Sequence, residues 1–368
     1  MSSYRQPSIV LIDDDDELLT KLQQALEREL AQDGVEIRTW KPDEGEDPLD
    51  EFQRRADDDT VLVVTDYDLT KSGMTGLFGV SIVSWCQTRL IPVGDFSRAN
   101  LTTLPSEPAL FELRVPSDIE GGARYTATMF RGFKQLRDGL AGDTVDLQSV
   151  RSPAQVLAAV LGRPQQESQF ALYMSLLGAA NASLLDTLRS ALSPDGVTGK
   201  VEKERLLAYV LGHVLANAVL RYPGPILSEK ALSAYLATTE EEAKNVSGIF
   251  IEAVYAGPFS AGTNYYWRAD VDRVIDRESA AVEADAAFDT SGAFNRAVVE
   301  KVLGRALRSH ECQRCEGKNG GYLCPFTGRP VCERADCSVA ANSWIPAGAD
   351  LSRIEREFYE EWAPLLGL

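Results

Sequence analysis

Two short apolar runs that each end in acidic residues limit this chain more than any other feature. Ile9-Val10-Leu11-Ile12 runs into Asp13-Asp14, and Val61-Leu62-Val63-Val64 runs, after Thr65, into Asp66-Tyr67-Asp68. Four-residue β-branched and leucine runs bounded by polar residues read as central strands of a parallel sheet, buried on both faces. Ligands of such sheets bind beyond the carboxyl ends of the strands, so both acid groups are expected at one site. Carboxylates held that close repel one another unless a hard cation such as Mg²⁺ lies between them, and one of them can then act as a nucleophile toward a phosphoryl group.

The rest of the first 140 residues supplies partners for those two strands. Leucines at spacings of three and four between Glu17 and Leu26 predict an amphipathic helix, followed by a weaker strand over Val35–Trp40 and a loop from Lys41 to Asp50. A charged helix precedes Val61. Gly73–Leu77 reads as a loop opening a helix through Trp85, Ile91–Phe96 as a fourth strand, Leu110–Val115 as a fifth, and Tyr125–Leu136 as a closing helix. The alternation predicts a doubly wound α/β fold with a five-stranded parallel sheet.

The segments IVLIDDDDELL, VVTDYDLTKSGMTGL and IPVGDFS, in that order, resemble the receiver domain of two-component response regulators. The resemblance implies that Asp13 and Asp14 help hold Mg²⁺, that Asp66 binds the metal and accepts a phosphoryl group from a histidine kinase, and that Asp68 lends its backbone carbonyl to the metal. It also implies that the Ser97 hydroxyl contacts the phosphoryl group and acts as the switch. The sequence departs from the family where a lysine ordinarily precedes the proline after the fifth strand. Here Val115 precedes Pro116, and Arg114 falls on the opposite face of an alternating strand. Leu69-Thr70-Lys71 replaces the common Met-Pro. A degenerate pseudo-receiver, working as a protein-binding scaffold within a multi-protein system such as a defence system, is therefore the alternative. A second alternative is a phosphatase of the haloacid-dehalogenase type, since Asp66-Tyr67-Asp68-Leu69-Thr70 also resembles DxDxT. That family places its metal-holding acids after the nucleophile, whereas Asp13 and Asp14 come before it.

Ser152-Pro153-Ala154-Gln155 has the composition of a helix start. Amphipathic patterns over Glu167–Leu192 and Val201–Leu220, interrupted by Ser193-Pro194-Asp195-Gly196, predict a helical domain over residues 150–225. His213, within an apolar run, is expected to be a packed, hydrogen-bonded core residue. In residues 226–308, two short helices (Ser228–Ala237 and Thr239–Tyr255), a strand-like Asn264–Arg268 and a helix near Val271–Ile275 predict a winged-helix-like region. Its second helix opens Glu240-Glu241-Glu242, which would repel DNA phosphates, so a protein partner is expected.

Five of the six cysteines lie between residues 312 and 337. A glycine-rich segment of that length cannot bury a core of its own, so a structural Zn²⁺ held by four thiolates is expected over residues 309–345. Cys312, Cys315, Cys324, Cys332 and Cys337 are the candidates. Cys312, Cys315, Cys332 and Cys337 are the favoured four; Cys324 or His310 could replace one of them. No HExxH motif points to catalytic zinc. Residues 346–368 carry an amphipathic helix with Phe358, Tyr359 and Trp362. The formal charge of −18 opposes nucleic acid and anionic membranes. No long uninterrupted apolar window or signal-peptide core appears, so a soluble cytoplasmic signalling protein, and not an enzyme, is expected.

Overall fold

The computed structural model describes residues 6–42, 47–66, 69, 79–96, 110–142, 145–147, 149–174, 182–193, 199–282, 288, 290–309, 312, 314–315, 321–340 and 344–366. They fall into two units whose chain segments alternate. The first comprises Met1–Arg151, Asp186–His213 and Gly257–Gly262; the second comprises Ser152–Leu185, Val214–Ala256 and Thr263–Leu368.

The first unit begins β1 (Ser8–Ile12), α1 (Asp16–Glu29), β2 (Glu36–Trp40), α2 (Pro48–Arg55), β3 (Thr60–Thr65), α3 (Gly79–Thr88), β4 (Val93–Asp95), β5 (Leu113–Arg114) and α4 (Ile119–Ala141). All five strands are parallel, in the order β2-β1-β3-β4-β5, so the direction of winding reverses between β1 and β3. Every residue of β1 and β3 is buried, because the two faces of the pleat meet different helices. Val10, Ile12 and Val63 share one core with Trp40, Phe52, Ile82 and Cys86, while Leu11 and Val64 lie near Leu18, Leu19 and Leu22 of α1. Each such aliphatic side chain contributes about 1.5–3 kcal/mol, which explains why the runs are continuous and not alternating. Aspartates start three of the helices: Asp15, Asp47 and Asp118 accept backbone N–H groups of α1, α2 and α4. The expected loop from Lys41 ends earlier than predicted, because Asp47 and Pro48 form a helix start. The connection between β4 and β5, residues 97–109, lies outside the described residues.

Helices α5 (Pro153–Val160), α6 (Glu167–Tyr173), α7 (Ala182–Leu192) and α8 (Lys200–Val214) follow. Residues of α8 up to His213 complete the first unit. Tyr209 stacks on Phe111 at 5.4 Å, and Phe133 of α4 fills the notch at Gly212, where a Cβ would lie 2.2 Å from its ring. Phe259 packs edge-on against Phe133 and over Gly132. His213 is fully buried among Phe111, Phe133 and Tyr209. The packing agrees with expectation, but the hydrogen bond does not: neither imidazole nitrogen has a partner among the described residues. Burial without a partner pushes its pKa down to about 3.

The second unit contains β6 (Ile226–Ser228), α9 (Glu229–Tyr235), α10 (Glu240–Val246), β7 (Val254–Tyr255), β8 (Tyr265–Trp267), α11 (Arg268–Glu278) and α12 (Ser291–Leu303). The three strands form an antiparallel sheet in the order β6-β8-β7. Leu227, Leu232, Phe250, Tyr266, Val271 and Val299 belong to its core. Four two-residue strands close the chain: β9 (Tyr322–Leu323) pairs with β10 (Pro330–Val331), and β11 (Ser338–Val339) with β12 (Ile354–Glu355), before α13 (Arg356–Trp362). Among the described residues, no helix is long and apolar enough to cross a membrane.

Candidate metal centres

The first candidate centre lies at the carboxyl ends of β1 and β3, where the winding of the sheet reverses. Carboxylate oxygens of Asp13, Asp14 and Asp66 all lie within 4.8 Å of one another. The parallel ladder extends just far enough to fix them: Asp13 N–H donates to Trp40 O and Asp66 N–H to Ile12 O. The four consecutive aspartates then divide by role. Asp13 Oδ1 accepts the Asp15 N–H at 2.8 Å, Asp15 caps α1, and Asp16 pairs with Lys41. Asp14 is 8% exposed, and neither of its carboxylate oxygens has a hydrogen-bond partner among the described residues. Burial, with the carboxylates of Asp66, Asp14 and Asp15 adding to it against the Asp15 N–H, pushes the Asp13 pKa up to about 6. A buried carboxylate with no donor costs several kcal/mol unless a cation offsets it. Oxygens at these separations fit around a hard cation with ligand distances of about 2.0–2.6 Å.

Of the other residues expected here, Asp68 and Ser97 lie outside the described residues. Val115 is buried and packs over β4: a Cβ added at Gly94 would lie 2.7 Å from its Cγ2. Arg114 is exposed on the alternate register position.

The second centre is made of thiols. The Sγ atoms of Cys312, Cys315, Cys332 and Cys337 lie within 4.8 Å of one another, with Cys315 and Cys332 3.7 Å apart. Four sulfurs around a tetrahedral ion at 2.3 Å would be separated by about 3.8 Å. All six cysteines are free of disulfides. Cys324 is not a member of this group. It is fully buried, but it starts the turn between β9 and β10, accepting Gly328 N–H and donating to Arg329 O through its backbone, and this holds it apart from the four. His310 lies outside the described residues. Burial raises the Cys312 thiol, but N–H groups of Arg314, Cys315 and Cys332 and the Cys315 side chain more than offset this and bring it down to about 7. Burial and the neighbouring sulfurs hold Cys337 well above the ordinary thiol range. Four thiols that cannot all ionise alone are a set that a soft-tolerant divalent cation would complete.

Support around the thiols comes from residues that the spacing of cysteines does not reveal. Ser338 Oγ donates to Cys332 O, Arg353 Nε donates to Ser338 Oγ at 2.7 Å, and Arg356 N–H donates to Cys337 O. Comparison with known proteins gives no match to a family model, a curated protein or a solved structure.

Proposed function

We propose that this chain is a two-component-type regulatory protein whose first unit is a receiver-like domain that binds Mg²⁺ and accepts a phosphoryl group on Asp66. The observation that carries this reading is Asp14, a buried carboxylate without a donor, held beside Asp13 and Asp66 at the point where the strand order reverses. The order β2-β1-β3-β4-β5 is the one shared by flavodoxins and the bacterial chemotaxis receiver. Mg²⁺ held by Asp13, Asp14 and Asp66 would neutralise charge on the incoming phosphoryl group. An Asp66 oxygen would attack phosphorus, forming a new P–O bond as the donor's bond to phosphorus breaks, P–N with release of imidazole from a phosphohistidine or P–O with release of carboxylate from an acyl phosphate.

The second unit is read as a protein-interaction module of winged-helix type, supported by the succession β6-α9-α10-β7-β8 and the sheet order β6-β8-β7. Its α10 is not built for DNA. Glu240, Glu241 and Glu242 in its first turn face Lys230, Arg308 and Arg305 of the same unit, so the turn offers phosphates no cation of its own. The four thiols are read as a structural Zn²⁺ site.

Val115 favours a second reading. An aliphatic side chain packed over Gly94, at the position where the family resemblance implies lysine, supports a receiver-like domain that binds a cation and a protein partner without switching. Mass measurement after incubation with Mg²⁺ and acetyl phosphate separates the two. A labile gain of about 80 Da, one phosphoryl group, in the parent and not in Asp66→Asn is expected for the switch. No gain with any acyl-phosphate or phosphohistidine donor leaves the scaffold reading. Continuous release of phosphate from small phosphomonoesters would instead favour the phosphatase.

A further inference from the structure

We infer that the first unit carries a binding site for a small oxyanion of the phosphate type at the end of the sheet opposite the carboxylates. Three arginines from separate parts of the chain line one recess: Arg89 just beyond α3, Arg137 on α4 and Arg205 on α8. Val61 and Ile91, at the starts of the strand segments that end in Asp66 and Asp95, line the same recess. With β3 six residues long, this places it about 20 Å of strand from the acid cluster.

The charges in the recess are not balanced in the way that a structural ion-pair network would be. Arg137 is largely enclosed, yet its hydrogen bonds go to two backbone carbonyls, Thr60 O at 3.2 Å and Asp58 O at 3.1 Å. Among the described residues it has no ion pair. Burial lowers its pKa, and the neighbouring Arg205 lowers it further, against weaker opposing effects of Asp59, Asp138 and Asp58. Among the described residues Arg205 pairs with Asp58 at 3.0 Å, whose side chain is 78% exposed. Asp57 also lines the recess and is bound to Arg38. Arg89 has neither an ion pair nor a side-chain hydrogen bond among the described residues.

Bringing a third cation beside two that already repel costs free energy unless an anion binds among them. In a chain of net charge −18, carboxylates were available to balance these arginines, and the packing does not use them for Arg89 or Arg137. Guanidinium forks match the oxygens of phosphate and its esters, which an ammonium would bind less specifically. Just after α3, Leu90 adopts φ 56°, a strained conformation for a non-glycine residue that turns the chain at the recess edge. The space within the recess is small, about 20 Å³, so a single oxyanion group at its mouth, and nothing larger, is what it would take.

Isothermal titration of the full chain at low salt tests the inference, with inorganic phosphate and AMP as probes and Asp66→Asn as the background, so that the acid cluster cannot hold a transferred phosphoryl group. Saturable binding is expected, weakened at least tenfold in Arg89→Gln. Because Arg89 supports no described contact, thermal unfolding of Arg89→Gln without anion is expected to match the parent. Arg205→Gln should weaken binding to a similar degree. Tighter binding of phosphate assigns a free anion, and tighter binding of AMP assigns the phosphoryl group of a small molecule; both support the site. Absence of saturable binding by either probe overturns it, as does equal binding by the parent and both variants.

Discussion

The carboxylate cluster and the thiol cluster are both candidate metal centres, but they stand in opposite relations to the fold around them. Asp13, Asp14 and Asp66 extend from β1 and β3, whose residues are buried throughout. The sheet positions these acids whether or not a cation is bound, and their mutual repulsion opposes the folded state. The four cysteines belong to a segment with two-residue strands, and the buried cluster there consists of the cysteines themselves. In the first unit the fold makes the site; in the cysteine segment an ion bound by the four thiols would make the fold.

The largest expected effect therefore concerns the thiols. Structural zinc contributes on the order of 10 kcal/mol to the folding of small zinc modules. Cys332→Ser is expected to abolish the release of about one zinc ion per chain on denaturation and to expose amides of residues 321–340 to hydrogen exchange, with β3 amides still protected. Equal loss of protection in β3 would break the contrast, and a parent free of zinc would remove its basis.

A second prediction tests the metal-independent core of the first unit through pH. His213 keeps its proton off down to about pH 3 in the folded state, whereas an unfolded histidine takes one near 6.5. The folded pKa is depressed, so the unfolded state binds more protons between these values and stability falls as pH falls through that window. Above about pH 6.5 the effect is absent. The loss reaches roughly 3 kcal/mol at pH 4.5. His213→Leu should recover that difference relative to the parent at pH 4.5, measured by urea unfolding at pH 4.5 and pH 7. Parallel pH profiles for the two proteins would show that the imidazole does not remain neutral in its aromatic surroundings.

The smallest effect belongs to the carboxylates. At one hundred times its dissociation constant, Mg²⁺ should stabilise the parent by about 2.7 kcal/mol, and Asp14→Asn should lose that gain while being no less stable without Mg²⁺. The raised pKa of Asp13 makes its ionised form costly above about 6. That cost is relieved as pH falls through about 6, and the same protonation competes with the cation, so the Mg²⁺ gain should fade there. A gain in Asp14→Asn equal to that of the parent would place the cation elsewhere.

Much of the first unit could be read from residue order. A strand buried on both faces needs an uninterrupted apolar run, and a site at its carboxyl end needs polar residues just after it, so β1, β3, Asp13, Asp14 and Asp66 were all local signals. The four clustered thiols were likewise among the five that spacing made candidates.

What the sequence could not supply were meetings between distant residues. Cys324 is as cysteine-like as the others, and only the turn from Cys324 to Gly328 holds it apart from the four. Ser338 and Arg353 carry no metal signature, yet they support Cys332. His213 looked like an ordinary core histidine, and only the convergence of Phe111, Phe133 and Tyr209 left it without a partner. Arg89, Arg137 and Arg205 are separated by 48 and 68 positions in the chain, and nothing in their neighbours predicts that they share a recess. The sequence determined which residues are buried in strands and helices, because that pattern depends on neighbours two to four positions apart. The tertiary structure decided which charges, sulfurs and rings face one another, because electrostatics and packing act over ångströms in space and are indifferent to distance along the chain.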